Sequence, residues 1–145
     1  MHMHHDPFSG PCACTTLRKA ARAVGRVYDD ALADAGMTTA QFAILRHVSR
    51  QERVPLSRLA DGLVMDRTSL YRALAPVEAK GWVSVEAGAG KAKLASLTPA
   101  GRAAMEGAEA GWAHVQQRIV GTMGEEAWAG LEAGLTALTE LATHA

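Results

Sequence analysis

Residues 59–83 read LADGLVMDRTSLYRALAPVEAKGWV and contain two short helical patterns separated by a break at residues 64–66. The second pattern predicts a helix over residues 67–80, because Asp66 can accept hydrogen bonds from the free N–H groups of its first turn. The first pattern predicts a helix that starts at Pro55, since proline at the first helical position loses no backbone hydrogen bond. The apolar residues that recur at helical spacing are Leu56, Leu59, Ala60, Leu63, Leu70, Ala73, Leu74 and Val77. The two patterns together predict a helix-turn-helix unit.

Two β-compatible runs follow at residues 82–85 and 94–97, with a glycine-rich segment between them. This arrangement predicts a two-stranded hairpin. Pro76 interrupts the preceding helix, where it removes one hydrogen bond and crowds the carbonyl of Arg72, so we expect a kink or a loosened turn there. A helix-turn-helix followed by a hairpin is the element order of a winged helix-turn-helix.

Helical patterns also flank this unit on both sides. They cover residues 14–35, 38–50 and 99–123, with a last helix after residues 122–125. Thr38 and Thr122 are predicted N-caps in capping boxes, and Thr98 is a predicted N-cap before a proline. Three glycines in the long helix indicate that another helix approaches it closely. These glycines are Gly101, Gly107 and Gly111.

The outer helices carry apolar stripes that are longer than the small central unit can cover. Pairing with a second copy of the chain is the simplest way to bury them. We therefore predict a mainly α fold with a small β-hairpin wing, in which a winged helix-turn-helix joins a helical dimerisation platform. Residues 38–97 form the predicted DNA-binding region, and residues 12–37 and 98–145 form the predicted dimerisation region of one compact domain.

The composition agrees with a folded protein of this size. The chain has 145 residues, of which 48% are hydrophobic, and this suits a single packed domain. No apolar run reaches the roughly 18 residues that cross a bilayer, and the N-terminus lacks the apolar core of a secretory signal. We therefore expect a cytoplasmic protein with no membrane partner. Three N-terminal histidines, His2, His4 and His5, are predicted to form a tail and not a metal site.

The net charge is zero, but the charges are unevenly distributed. Residues 46–97 carry nine arginine and lysine residues against five acidic residues, a net charge of +4. Residues 98–145 carry two basic residues against six acidic residues, a net charge of −4. A basic central region on an acidic platform favours a unit that contacts DNA.

The stretch at residues 59–83, including Pro76, resembles the helix-turn-helix of the MarR family of multiple-antibiotic-resistance regulators. The segment LTPAGR at residues 97–102 resembles the family's entry into its long dimer helix. The resemblance covers the chain from about residue 12 to the C-terminus, and it implies a homodimeric regulator, most often a repressor, that binds double-stranded operator DNA. The wing departs from the family because it lacks the acidic-x-Arg motif. It offers Lys91 and Lys93, which suit phosphates better than the insertion of a planar donor into a groove.

A recognition helix enters the major groove with its N-terminal residues nearest the base edges. The candidates on that helix are Arg67, Thr68, Ser69 and Arg72. Arg72 can bind a guanine through two hydrogen bonds, Ser57 can contact a phosphate from the start of the preceding helix, and Tyr71 is expected at the rim of the domain. A dimer should read an inverted repeat with half-sites roughly 10 bp apart.

The resemblance also implies an effector site in a crevice between the platform and the DNA-binding region, often for small phenolic or aromatic molecules. The candidate residues are Tyr28, His47, Met105 and Trp112, although for each of them the sequence favours an ordinary place in the core.

A thiol sensor is an alternative. Cys14 lies at the start of the first helix, where the helix dipole stabilises a thiolate. Its position resembles that of the reactive cysteine in organic-hydroperoxide-sensing members of the family, and Tyr28 resembles a tyrosine that bonds that thiol. A second tyrosine and a further aromatic residue of that site are replaced by Thr39 and Arg18, so half of the constellation is absent. In the opposing interpretation, Cys12 and Cys14 are small apolar residues at the dimer seam.

Two further classes of function differ in how far the sequence excludes them. An enzyme is not expected, because the sequence has no nucleophile–base–acid set, no phosphate loop and no paired Cys/His metal spacing, so no cofactor is predicted. A winged-helix module that binds a protein and not DNA stays open, because the wing lacks arginine. Salt-dependent affinity distinguishes that module from a DNA-binding protein.

Overall fold

The computed structural model describes residues 10–145, and in that range it contains six α-helices and a three-stranded antiparallel sheet. His2, His4 and His5 lie outside the described residues. A short 3₁₀ turn at Ala33–Ala35 follows the first helix, and Gly36 ends it with a φ of 68°. The elements are α1 Ala13–Leu32, α2 Thr39–Ser49, β1 Val54–Pro55, α3 Leu56–Gly62, α4 Arg67–Ala79, β2 Val83–Ala87, β3 Lys93–Leu97, α5 Pro99–Met123 and α6 Glu125–Thr143. The mainly α fold with a winged helix-turn-helix is confirmed.

The starts of three helices follow their predicted caps. Thr38, Asp66 and Thr98 each accept a hydrogen bond from the backbone N–H three residues further on, at 3.1, 2.7 and 2.9 Å. Thr38 and Gln41 form the predicted capping box, in which each side chain accepts a hydrogen bond from the backbone N–H of the other residue. The capping box predicted at residues 122–125 is wrong. Thr122 belongs to α5, and α6 starts at Glu125 after its N-cap residue Gly124, which has a φ of 90° and provides no side-chain cap.

The core lies where α2, α3 and α4 meet the sheet. Its most completely buried large side chains are Leu32, Ile44, Leu45, Val48, Leu59, Leu70, Leu74, Val77 and Val83. Each such burial stabilises the fold by about 1.5–3 kcal/mol, so this cluster holds α4 firmly against its neighbours. The helix continues past Pro76 to Ala79, and the Lys80 N–H then donates to the Pro76 carbonyl at 3.1 Å.

The sheet has one more strand than the predicted two-stranded hairpin. β1 pairs with β3, with Val54 opposite Ala95 and Pro55 opposite Leu94, and the strand order is β1-β3-β2. Pro55 is therefore in extended conformation, as the N-cap of α3, and is not the first helical residue. The physical reason is burial: the Val54 side chain is 4% exposed and packs into the core as part of the sheet. This pairing attaches the wing to the start of α3.

The glycines of α5 have different neighbours. At Gly111, an added Cβ would lie 2.6 Å from the Ala31 carbonyl oxygen of α1, which confirms the expected close helix. At Gly101 the close neighbour is not a helix: an added Cβ would lie 1.9 Å from the carbonyl oxygen of Trp82, at the base of the wing. Gly107 has nothing within 4 Å of an added Cβ among the described residues.

The outer helices leave much of their apolar surface exposed. In the described part of the chain, Leu32 is the one buried residue of α1, and α6 buries none. Val24, Leu131, Leu138 and Leu141 are 43%, 44%, 39% and 70% exposed. None of the helices between residues 10 and 145 is long and apolar enough to cross a membrane.

Candidate nucleic-acid interface

The first two turns of α4 carry most of the predicted DNA-contacting side chains. The helix starts after Asp66, so Arg67 and Thr68 occupy its first turn. Because residues four apart share a helix face, Thr68 lies beside Arg72, and Arg67 lies beside Tyr71. These four side chains are exposed. The helix therefore has an outer face, formed by Thr68 and Arg72, and a second face that carries Arg67 and Tyr71 toward the wing.

Ser69 is partly engaged within the protein. Its backbone N–H donates to Asp66 Oδ1 at 2.7 Å, and its hydroxyl donates to Asp66 Oδ2 at 3.1 Å. These hydrogen bonds, the backbone one above all, hold the pKa of the Asp66 carboxyl below its usual value. The structure thus places Ser69 in the helix cap, and the DNA contact predicted for it stays a prediction.

A cavity of about 80 Å³ lies between α4 and the wing, and we call it the cradle. Its lining consists of Pro55, Leu56, Ser57, Arg67, Leu70, Tyr71, Lys91, Ala92 and Lys93. Among these described residues there are three cations and no carboxylate. The cradle therefore attracts anions, and the backbone phosphate of DNA is one. The fold brings four of the predicted residues together here, while Thr68, Ser69 and Arg72 lie elsewhere on α4.

Tyr71 belongs to this site, although the sequence placed it at the rim of the domain. Its side chain is 45% exposed, and Lys93 Nζ lies 5.7 Å from the centroid of its ring. This distance is within the reach of a cation–π interaction. The spacing of four residues from Arg67 was the signal in the sequence that puts Tyr71 on the wing-side face.

A second cavity, of about 140 Å³, lies between α2 and α5, and we call it the crevice. Its lining consists of Thr39, Phe42, Ala43, Arg46, His47, Arg50 and Trp112. The Arg46 guanidinium carbon lies 4.6 Å from the Trp112 ring centroid and 5.7 Å from that of Phe42. The His47 Nδ1–H donates to the Ala43 carbonyl at 2.8 Å, which fixes the ring. Aromatic walls beside arginines suit a planar anion.

The other two effector candidates lie outside the crevice. The Tyr28 hydroxyl donates to Gln116 Oε1 at 2.5 Å and so joins α1 to α5. Partial burial raises the pKa of Tyr28. Met105 is 7% exposed and belongs to the core. Of the predicted set, the structure brings His47 and Trp112 together, and Arg46 and Arg50 were missed because their proximity to Trp112 depends on how α2 packs against α5.

Both cysteines are exposed at the start of α1. Cys12 is the N-cap residue, and hydrogen bonds from Thr15, through its backbone N–H and then its hydroxyl, lower the pKa of the Cys12 thiol. Cys14 and Tyr28 are fourteen residues apart on one helix, or roughly 21 Å along its axis. Within one chain, the Tyr28 hydroxyl therefore cannot reach the Cys14 thiol, and it donates its hydrogen bond to Gln116 instead.

Comparisons with known proteins agree with this geometry. Residues 37–101 match the family model described as a winged helix DNA-binding domain. The transcriptional regulator MosR of M. tuberculosis in complex with DNA is 36% identical, with a TM-score of 0.86, covering 92% of this chain and 98% of that chain. A second structure of MosR from M. tuberculosis is 35% identical, with a TM-score of 0.81, covering 92% of this chain and 97% of that chain. A mutant MarR of E. coli complexed with operator DNA has a TM-score of 0.78 at 23% identity, covering 86% and 91%. No curated protein sequence matches the chain.

The fold and the exposed cationic helix define a winged-helix DNA-binding transcriptional regulator. The chain belongs to the MarR family of such regulators. Within residues 10–145, no group of three or more histidine, cysteine or acidic side chains is arranged to hold a metal ion.

Proposed function

We propose that this protein represses transcription by binding, as a homodimer, an inverted-repeat operator in double-stranded DNA. The observation that carries the proposal is the pairing of an exposed face on α4 with a cradle of three cations beside the wing. MosR and MarR, the similar proteins, were both crystallised with DNA, which supports the same partner here. A repressor that acts on operator DNA works in the cytoplasm of a bacterial cell.

Contacts with phosphates position a protein on DNA, and contacts with base edges give it specificity. Arg72, on the outer face, binds the O6 and N7 atoms of a guanine in the major groove. Thr68 reaches a neighbouring base or phosphate, and Ser69 accepts a hydrogen bond through its hydroxyl oxygen. In the cradle, one backbone phosphate lies against Ser57, Arg67, Lys91 and Lys93.

The homodimer is supported by the apolar surface of the outer helices. α6 buries none of its residues within the described chain, so the apolar side chains of Leu131, Leu138 and Leu141 are exposed on it. A second copy removes this surface from water, which is the main favourable term in association. Residues 12–37 and 98–145 then form the dimerisation region. Residues 38–97 contact DNA, and the two-fold axis places the half-sites roughly 10 bp apart.

Release of the operator by a small aromatic or phenolic effector is supported by the crevice. Arg46 already stacks on Trp112, so a planar anion can pair with the guanidinium and pack on the ring. His47 lies in the same lining. The crevice lies between α2 and α5. A ligand that binds one arrangement of these two helices more tightly than another therefore shifts the protein toward the arrangement that it prefers. The first probe is 4-hydroxybenzoate, and Arg46→Gln should abolish its effect on DNA binding.

The DNA partner is tested by selection from a random-sequence duplex pool, followed by titration of the selected duplex and a scrambled one. Arg72→Ala should weaken binding to the selected duplex by about 10- to 100-fold and barely change binding to the scrambled one. Lys91→Ala, the control for a phosphate contact, should weaken both equally. Equal losses for Arg72→Ala on both duplexes would contradict base readout. A selection without enrichment would instead favour a winged-helix protein-interaction module.

Thiol sensing is a second candidate, which the exposed cysteines support. The lowered pKa of Cys12 favours the thiolate form of its side chain, while the family resemblance points to Cys14 as the sensing residue. A thiolate attacks the O–O bond of an organic hydroperoxide, and with one proton the products are a sulfenic acid and an alcohol. With cumene hydroperoxide, release of the operator should be lost in Cys12→Ser or in Cys14→Ser. Normal release in both variants would contradict the sensor.

A further inference from the structure

Tyr71 lies between two cavities whose linings differ in charge. On one side lies the cradle, with its three cations. On the other side lies a cavity of about 230 Å³ whose lining includes Glu78, which is seven residues from Tyr71 and therefore on the same face of α4. Leu56, Tyr71 and Lys93 line both cavities, so they form the boundary between them.

Lys93 therefore has two possible sets of partners. It opens β3, opposite Ala87 of β2, and its four-carbon side chain is long enough to turn toward either cavity. The Glu78 carboxylate, which lines the same cavity, attracts the ammonium group in the free protein, while the phosphate of bound DNA attracts it from the cradle. Lys93 Nζ lies 5.7 Å from the Tyr71 ring centroid, and this contact restricts where the ammonium group goes.

We propose that Tyr71 is a positioning residue, whose ring holds the Lys93 ammonium group on the cradle side and away from Glu78. The Lys93 ammonium group of the wing thereby contacts the same phosphate that Arg67 contacts from α4. The ring, and not the hydroxyl, performs this role. The inference rests on the proposed binding of DNA, and it concerns how the recognition helix and the wing act as one unit.

The test uses the full-length protein and the selected operator, with titrations at several salt concentrations. Lys93→Ala should lower affinity about three- to tenfold and reduce the slope of log affinity against log salt by about 0.9, the loss of one phosphate contact. Tyr71→Leu should give the same changes. The double variant should bind DNA no more weakly than Lys93→Ala alone, because the two substitutions remove the same interaction. Tyr71→Phe, which keeps the ring, should bind as the wild type does.

A rescue experiment distinguishes positioning from a general structural effect. In the Tyr71→Leu background, Glu78→Gln removes the carboxylate that competes for Lys93, so it should restore part of the affinity and of the salt slope. The same change in the wild-type background should raise affinity less, because the Tyr71 ring there already holds Lys93 away from Glu78, whereas equal gains in both backgrounds would show only a general loss of repulsion. An unaltered thermal midpoint for Tyr71→Leu checks that the fold is intact.

Several outcomes would overturn the inference. Additive losses in the double variant would show that Tyr71 and Lys93 act independently. A loss in Tyr71→Phe as large as that in Tyr71→Leu would mean that the hydroxyl itself contacts DNA. These results differ from a failure of the proposed function, in which the wild-type protein would bind the selected and scrambled duplexes equally.

Discussion

Replacing Gly101 with alanine tests how α5 meets the base of the wing. An added Cβ would lie 1.9 Å from the Trp82 carbonyl oxygen and 2.9 Å from Leu97 Cδ1, whereas real Cβ contacts essentially never fall below 3.0 Å. The backbone must therefore separate by about 1 Å. The same carbonyl oxygen accepts a hydrogen bond from the Thr98 N–H at 3.1 Å, and the movement weakens it.

The magnitude follows from three terms. Overpacking of this kind costs about 1–3 kcal/mol, and the weakened hydrogen bond costs about 1 kcal/mol. Alanine in place of glycine gains about 1 kcal/mol of helix propensity. Gly101→Ala should therefore lower the free energy of unfolding by about 1–3 kcal/mol. The same change at Gly107, where an added Cβ meets nothing within 4 Å in the described chain, should raise it by about 1 kcal/mol.

The assay is urea denaturation of both variants and the wild type at one protein concentration, because the stability of a dimer depends on concentration. The two alanine variants should differ by about 2–4 kcal/mol. Gly101→Ala should also bind operator more weakly, since the displaced Trp82 carbonyl lies at the base of the wing. Equal stabilities for Gly101→Ala and Gly107→Ala would refute the close approach of α5 to the wing.

Three other substitutions test separate features. Val64 has a φ of 55° and is 64% exposed, so Val64→Asn should stabilise the protein by about 1 kcal/mol in thermal unfolding; an unchanged or lower midpoint would argue against backbone strain at the turn. The pKa of Asp66 is lowered in the folded state, so its contribution to stability is present above its unfolded pKa and is lost as the pH falls through the folded value. Asp66→Asn keeps a cap without a titrating group, so its stability should fall less than that of the wild type in acid denaturation, and parallel curves would contradict this. Leu138→Glu should halve the mass measured by light scattering, while Ala133→Glu, on the other side of α6, should leave a dimer; a wild-type mass equal to one chain would exclude the proposed homodimer.

The sequence predicted those parts of the fold that depend on local interactions. The caps at Thr38, Asp66 and Thr98 each join residues three apart, so their residue types alone were informative. β1 was missed because two residues carry no periodicity, and its strand character comes from pairing with β3, forty positions further along the chain. Gly101 was assigned a helical neighbour, because a glycine indicates close approach without identifying the partner.

The candidate site likewise has a part that local sequence patterns predicted and a part that depends on tertiary packing. That Arg67, Thr68 and Arg72 lie on the polar side of a helix follows from the period of α4. The sequence does not predict that one cavity is lined by Ser57, Arg67, Lys91 and Lys93, because their proximity depends on how the wing folds back on α4. Lys93 also gains a neighbour, Tyr71, that no local pattern connects to it.

The most direct test of the central proposal is a fluorescence anisotropy titration of the wild-type protein with the selected operator and a scrambled duplex, at 100 and 200 mM salt as rough working conditions. We predict binding to the operator that is at least about 10³-fold tighter than to the scrambled duplex. We also predict that affinity for both falls steeply with salt, as neutralised phosphates release their counterions. Equal affinities for the two duplexes, or an affinity that does not depend on salt, would contradict a regulator that reads DNA through α4 and the cradle.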